Sequence, residues 1–501
     1  MTINQFEMIR KATYIIVLIS AIIFSDAYAQ NSQTLYFMNL PQNHMLNPAL
    51  RPSNSLYIGL PGISGINLNI NNNFVNFSDI FMNGQPSDSV ITFLHPKNNA
   101  NDFLTKIKDK NSLEPQLSVQ LFGLGFSVGK GSYVFLDINE RFEGNMVLPR
   151  DIFELALKGN EGFSGSTIDL SSLRGDLKYY REIGMGFSKN FTNRLRIGIK
   201  GKLLFGIAGV SVNNESLGII VGNDYSHTLE ADLDINISGP VSVFLDKNSN
   251  IDSIEVNDIE SDEVVSFVMG KKNMGLGLDI GATYDITDRI SVSAAVTDIG
   301  FIKWKRDVTS LHAESRFEFS GLDLTEVING TKTFDEAGNE LVDSLKNSFV
   351  LDDSNEPFTT FIPMGISLGG SYSITNYFSL GLLSYSRLIG KQIRESITMS
   401  ANLNLSNKFS TSVSYTASNH RFDNLGFGLA FRPGIFQFYM LTDRIPVTWN
   451  RIILENESDP RNNSSIVLPA SWNTINLRLG MNLAFGNRVS KKNDKPMLLI
   501  N

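Results

Sequence analysis

Between Thr474 and Gly486 the chain reads TINLRLGMNLAFG, and every second residue is apolar: Ile475, Leu477, Leu479, Met481, Leu483 and Phe485. Successive side chains of a strand point to opposite sides of the pleat, so strict alternation specifies a strand with one apolar face and one face of different character. The other face here, Thr474, Asn476, Arg478, Gly480, Asn482 and Ala484, is small and mostly polar. The pattern recurs. Leu195, Ile197, Ile199, Leu203, Phe205 and Ile207 oppose Arg196, Gly198, Lys200, Lys202, Gly206 and Ala208. Leu276 to Ile286 alternate with Gly275 to Asp285, and Met364 to Ile374 with Gly365 to Ser373. A water-washed sheet carries many Lys and Glu on its second face. A small, polar second face fits a closed barrel whose apolar face meets lipid.

Four short connections share one form: Phe191-Thr192-Asn193-Arg194-Leu195, Ile286-Thr287-Asp288-Arg289-Ile290, Ile374-Thr375-Asn376-Tyr377-Phe378 and Leu405-Ser406-Asn407-Lys408-Phe409. Asn and Asp tolerate the left-handed conformation and bond their own backbone, so these are tight hairpin turns. Longer excursions lie at 76–112, 149–175, 214–274, 304–360 and 446–472. Strands are expected near 63–75, 113–129, 131–148, 176–190, 195–212, 275–286, 290–303, 361–374, 378–390, 394–405, 409–418, 424–432, 435–445 and 473–485. Their parity puts every tight turn on one side and every long excursion on the other. That segregation is the organisation of an all-β, transmembrane, antiparallel up-and-down β-barrel of about 14 strands (range roughly 12–16) with long extracellular loops. Phase slips at Leu121-Phe122 and Asp298-Ile299 predict bulges or strand ends.

The ends assign the compartment. Arg10 and Lys11 precede the apolar run Tyr14 to Phe24, and Ala27-Tyr28-Ala29 follows, which is the form of a cleaved signal peptide over residues 1–29. Residues 30–52 are expected to be a short periplasmic segment or plug, 53–486 the outer-membrane barrel and 487–501 a periplasmic tail. No cysteine is present, so neither a lipid-attachment thiol nor a disulfide framework is available. Mean hydropathy is −0.05, as alternation requires, because lumen and lipid faces cancel. The net charge of −8 includes no basic block of the kind that binds nucleic acid.

Catalytic signals are weak. Gly365-Ile366-Ser367-Leu368-Gly369 has the G-x-S-x-G spacing of a nucleophile elbow, but it sits inside an alternating strand and not at a strand-to-helix corner. His44, His95, His227, His312 and His420 have no metal-ligand spacing, and no enzyme or cofactor is expected. Asp246 to Asp252 has part of a calcium-loop spacing but lacks its glycine and its bidentate glutamate. The excursions 214–270 and 307–357 carry net charges of −11 and −9, leaving the rest of the chain positive. Solvation explains such loops, and divalent-cation bridging to lipopolysaccharide or surface glycan is the sharper reading. Glu230, Asp232 and Asp234 line one face of an alternating segment, while Arg196, Lys200, Lys202 and Arg478 fall on lumen faces. Together these seven form a candidate solute-binding lining, or simply paired charges filling a polar interior.

Arg478 to Phe485 reads polar-x-Gly-x-x-apolar-x-aromatic and resembles the β-signal read by the outer-membrane barrel assembly machinery, with Gly480, Leu483 and Phe485 at its key positions. The phrases NHMLNPALRPSNSLYIGLPG, RLRIGIKGKLLFGIAGV, ISVSAAVTDIGFIKW and NLGFGLAFRPGIFQFYMLTDRI resemble an uncharacterised family of Bacteroidota outer-membrane barrels. That family is distantly similar to FadL-like fatty-acid transporters and to PorV-type barrels of the type IX secretion system. Asn47-Pro48-Ala49 matches the Asn-Pro-Ala of the FadL-like N-terminal hatch. The resemblance implies a barrel that passes a small or hydrophobic solute, or one that anchors a surface or secretion assembly. Its partners would be outer-membrane lipid, lipopolysaccharide, the assembly machinery and a surface or secretion protein.

Overall fold

The computed structural model describes residues 33–83, 90–92, 100–129, 131–159, 161–223, 226–239, 241–245, 251–256, 273–319, 350–354, 356–390, 392–405, 408–418, 421–445, 449–454, 464–469 and 473–486. The expected signal peptide, the expected tail and Asp246 to Asn250 of the calcium-like loop lie outside these residues.

Fourteen strands close into one antiparallel barrel. In chain order they are β1 (Leu56–Gly59 and Ile66–Asn72), β2 (Lys110–Val128), β3 (Ser132–Pro149), β4 (Arg174–Asn190), β5 (Leu195–Val221), β6 (Met274–Asp285) and β7 (Ile290–Trp304). The second half is β8 (Phe358–Phe361 and Met364–Ser373), β9 (Phe378–Ile389), β10 (Gln392–Leu405), β11 (Phe409–Ser418), β12 (Arg421–Phe431), β13 (Phe436–Thr442) and β14 (Thr474–Phe485). Each strand pairs with the next, and β14 returns to β1 with Leu56 opposite Phe485 and Ile66 opposite Leu479. Closure gives every barrel strand a neighbour on both sides.

The burial pattern is inverted relative to a soluble sheet. On β11, Ser410, Ser412, Ser414 and Thr416 are buried while Val413 and Tyr415 are exposed. On β14, Asn476, Arg478 and Asn482 are buried and Leu479 is exposed. Small polar residues thus point into the lumen, and the apolar stripe of the closing strand meets lipid. The tight turns owe their closure to threonine as much as to Asn or Asp. Thr192, Thr287 and Thr375 each accept the backbone N–H three residues on, at 2.9, 3.0 and 3.0 Å.

Both phase slips are bulges. The β2–β3 register shifts between Gln120 and Phe122. On β7, Leu278 faces Ile299 but Ile280 faces Val296, so Thr297 and Asp298 share one partner, and Asp298 takes a φ of 59°. The lumen-facing parity of β7 changes there, from Ser291, Ser293 and Thr297 to Ile302 and Trp304.

The lower lumen, towards the tight turns, is filled by residues 33–54. Leu35, Tyr36, Met38, Leu40, Gln42, His44 and Asn47 are all fully buried there. At the opposite end, Val75, Phe103, Leu104 and Ile107 pack with Phe153 and Leu157 of the helix Arg150–Lys158 into a small cap. The helix's other flank, Ile152 and Leu155, packs on Phe163, Ile168, Leu170 and Val221.

β5 is longer than expected. Its 27 residues carry it past the wall, and there it pairs with the strand His227–Ser238, which pairs in turn with Val308–Phe319. Glu230, Asp232 and Asp234 lie on this projecting sheet and not on a lumen face. The reason is geometric: their strand ladders onto the extension of β5 beyond Gly209.

Candidate functional site

The lumen holds a chain of buried charges built from neighbouring strands. Alternation on β3 sends Asp137, Asn139 and Glu143 inward, β4 contributes Glu182, and β5 contributes Lys200 and Lys202. The Lys200 ammonium lies 2.9 Å from Glu182 and 3.2 Å from Asp137. The Lys202 ammonium lies 2.6 Å from Asp298 and 2.8 Å from Asp279. Arg141 bridges Glu182 at 2.6 Å, Glu143 at 2.8 Å and Asp298 at 3.0 Å. The β7 bulge makes this possible, for it turns the Asp298 carboxylate inward while its N–H donates to Asp279 at 2.7 Å. A buried ion pair recovers its desolvation cost only with good geometry and further partners, and each of the cations Arg141, Lys200 and Lys202 meets at least two carboxylates.

The plug enters the same network. His44 Nε2 lies 2.7 Å from Asp137, whose other oxygen accepts from Tyr57 and Gln120, both at 3.2 Å. Asn47-Pro48-Ala49 makes a turn in which the Ala49 N–H donates to Asn47 Oδ1 at 2.9 Å. That turn lies against the wall at Gly198 and Gly281, where any Cβ would overlap Pro48 or Asn47. Higher up, the Asp443 carboxylate accepts the backbone N–H groups of Gln33 and Thr34, both at 2.8 Å.

Of the residues singled out from the sequence, Lys200 and Lys202 stand at the centre of this network. Arg196 and Arg478 are buried on lumen faces, and Arg478 approaches the Met45 sulfur of the plug at 3.8 Å. Glu230, Asp232 and Asp234 are not brought to them; Asp234 pairs with His312 at 2.8 Å and Glu230 with Arg316 at 3.3 Å on the projecting sheet. Gly480 packs against Ser64 and Tyr439, Leu483 sits opposite Ile58 and Phe436, and Phe485 opposite Leu56. Sequence reasoning missed Asp137, Arg141, Glu143, Glu182, Asp279 and Asp298, and gave His44 no acid-base company. Charges interrupting the lumen faces of otherwise apolar strands, as in FLDINERFE, were the available signal.

Two cavities lie above the plug. A small one of about 70 Å³ is bounded by Met45 and Leu46 of the plug and by Asn139, Arg141, Glu143 and Lys202. A larger one of about 440 Å³ opens beside it, and the two share Glu143 and Asp298. Just there the wall is interrupted. β7 and β8 pair at Thr297–Gly365 and again at Phe301–Phe361, and Pro363 between them has no N–H to give the ladder. Ile299, Gly300 and Phe361 line the larger cavity from within and also an apolar recess of about 700 Å³ on the other face of the wall.

The fold is similar to that of a Pseudomonas aeruginosa FadL homologue, at 9% identity over 92% of this chain and 97% of that one, with a TM-score of 0.41. It is also similar to the Ralstonia pickettii toluene transporter TbuX (9% identity, 89% and 95% covered, TM-score 0.39). A third similar structure is the Pseudomonas putida toluene transporter TodX (9% identity, 92% and 99% covered, TM-score 0.37). No curated protein matches. A family model does match, over residues 48–443, and the chain therefore belongs to the family of unknown function DUF5723.

Proposed function

We propose that this protein is an outer-membrane barrel that passes a small, partly apolar solute between the long-loop side and the membrane. The observation that carries the reading is the wall interruption at Asp298 to Gly300 and Ile362-Pro363. There Ile299, Gly300 and the adjoining Phe361 line a lumenal cavity on one side and an apolar recess on the other. A plugged lower lumen favours exit through the wall over passage straight down the axis. The test is uptake of a small apolar dye by vesicles carrying the purified protein, against protein-free vesicles. Faster uptake supports passage.

A second reading, a barrel that anchors a surface or secretion assembly, draws on the packed cap and the projecting sheet at the long-loop end. Vesicles as tight with the protein as without it would favour that reading. In either case Gly480, Leu483 and Phe485 serve as the assembly signal, and lipopolysaccharide surrounds the outer rim.

A further inference from the structure

We propose that the larger lumenal cavity is a binding site for a small amphiphile whose head donates hydrogen bonds, an alkylammonium or a polyhydroxyl alkyl compound. The inference rests on the passage reading and names its solute class.

The polar side of the site holds two buried acceptors that no donor among the described residues meets. Glu143 Oε2 has no hydrogen-bond partner among the described residues, although Glu143 is only 6% exposed. Asn145 Oδ1, on the same strand and lining the larger cavity, is likewise without one. The cations nearby are engaged elsewhere. Lys178 donates to the Phe361 carbonyl at 2.9 Å, and Arg141 spends its guanidinium on Glu143, Glu182 and Asp298. Arg387 reaches the Gln116 amide oxygen, once that amide is turned towards it, and stays 3.9 Å from Glu143 Oε2. A buried acceptor left unmet costs about 1–3 kcal/mol, so a ligand that donates here is favoured and one that brings only acceptors is not.

The opposite side is apolar: Ile299, Ile362, Pro363, Met364, Leu388 and Ile389. These side chains lie around the wall interruption, so an alkyl chain placed against them points towards the outer recess. At close packing, about 440 Å³ holds a molecule of roughly 20 non-hydrogen atoms. A head seated at Glu143 and Asn145 with a short alkyl tail matches that volume.

The test is calorimetric titration of the full chain in lipid nanodiscs with n-octylammonium, n-octyl glucoside, octanoate and n-octane, with empty nanodiscs subtracted. Octylammonium and octyl glucoside are expected to bind about tenfold or more tightly than octanoate or octane. Glu143→Gln should weaken octylammonium by about tenfold while leaving the glucoside within about threefold, because only the ion pair is lost. Met364→Trp, which fills the apolar side, should weaken both at an unchanged melting temperature. Should Glu143→Gln fail to fold, Asn145→Ala tests the head and Met364→Trp the tail. Equal binding of all four probes, or tightest binding of octanoate, overturns the inference. Solute uptake by vesicles without head selectivity would overturn it and leave passage standing. Head-selective binding with vesicles that stay tight would do the reverse.

Discussion

His44 and Asp137, 93 residues apart in sequence, meet at 2.7 Å with both side chains fully buried, and they fasten the plug to the barrel wall. His44→Ala leaves one Asp137 oxygen without its plug partner, at a cost of about 1–3 kcal/mol. The expected outcome is earlier heat-induced unfolding on a gel and faster proteolysis within residues 33–54. Unchanged proteolysis would show that the plug is held by its other contacts.

Lys202 lies between Asp279 and Asp298, so its removal leaves two buried carboxylates short of a cation. Lys202→Met should destabilise the barrel by about 3–5 kcal/mol, and adding Asp298→Asn should restore part of that loss. A charge that serves only solute selection would instead change flux and leave melting untouched. Thermal melting and vesicle flux on both variants separate the two roles.

Two glycines on one strand make a matched pair. A side chain at Gly198 would overlap the Pro48–Ala49 backbone, whereas at Gly201 nothing lies within 4 Å. Gly198→Val should prevent the Asn47-Pro48-Ala49 turn from seating, and Gly201→Val should be tolerated. Outer-membrane levels and protease resistance of the two variants check this.

On the projecting sheet, the hydrogen bond that the His312 ring donates to Asp234 raises the His312 pKa above its ordinary 6.5, and the Asp234, Asp232 and Glu314 charges add to the effect. A raised folded-state pKa means that the contribution is fully present below the unfolded value and is lost as pH rises through the folded one. Amides of His227–Ser238 should therefore exchange faster, relative to the barrel, near pH 8 than near pH 6. The pair is exposed, so the effect is small. His312→Asn should abolish the difference.

Phe485 pairs with Leu56 where the barrel closes. Phe485→Asp removes the aromatic of the β-signal-like stretch and places a charge at the lipid boundary, where the cost is about 0–1 kcal/mol or somewhat more. So small a penalty does not unfold a closed barrel, and loss of assembled protein in cells would point to the signal. Normal levels would make the resemblance a coincidence.

The sequence by itself determined the barrel, because alternation is a local, period-2 property written into each strand, and Thr-Asn or Thr-Asp turns mark where the chain reverses. It also marked both phase slips, since one extra residue shifts the phase of every residue after it, and the register then made them bulges and not strand ends. Only the tertiary structure decided what fills the lumen. Whether Lys202 is a bare cation or the partner of Asp279 and Asp298 depends on strand register and on a bulge 96 residues away. The placement of Glu230, Asp232 and Asp234 turned on how far β5 runs past the wall, which alternation does not show because Asn213-Asn214-Glu215-Ser216 breaks the apolar pattern while the strand continues to Val221. His44 had no local signal, since its partner reaches it only when the barrel closes around the plug.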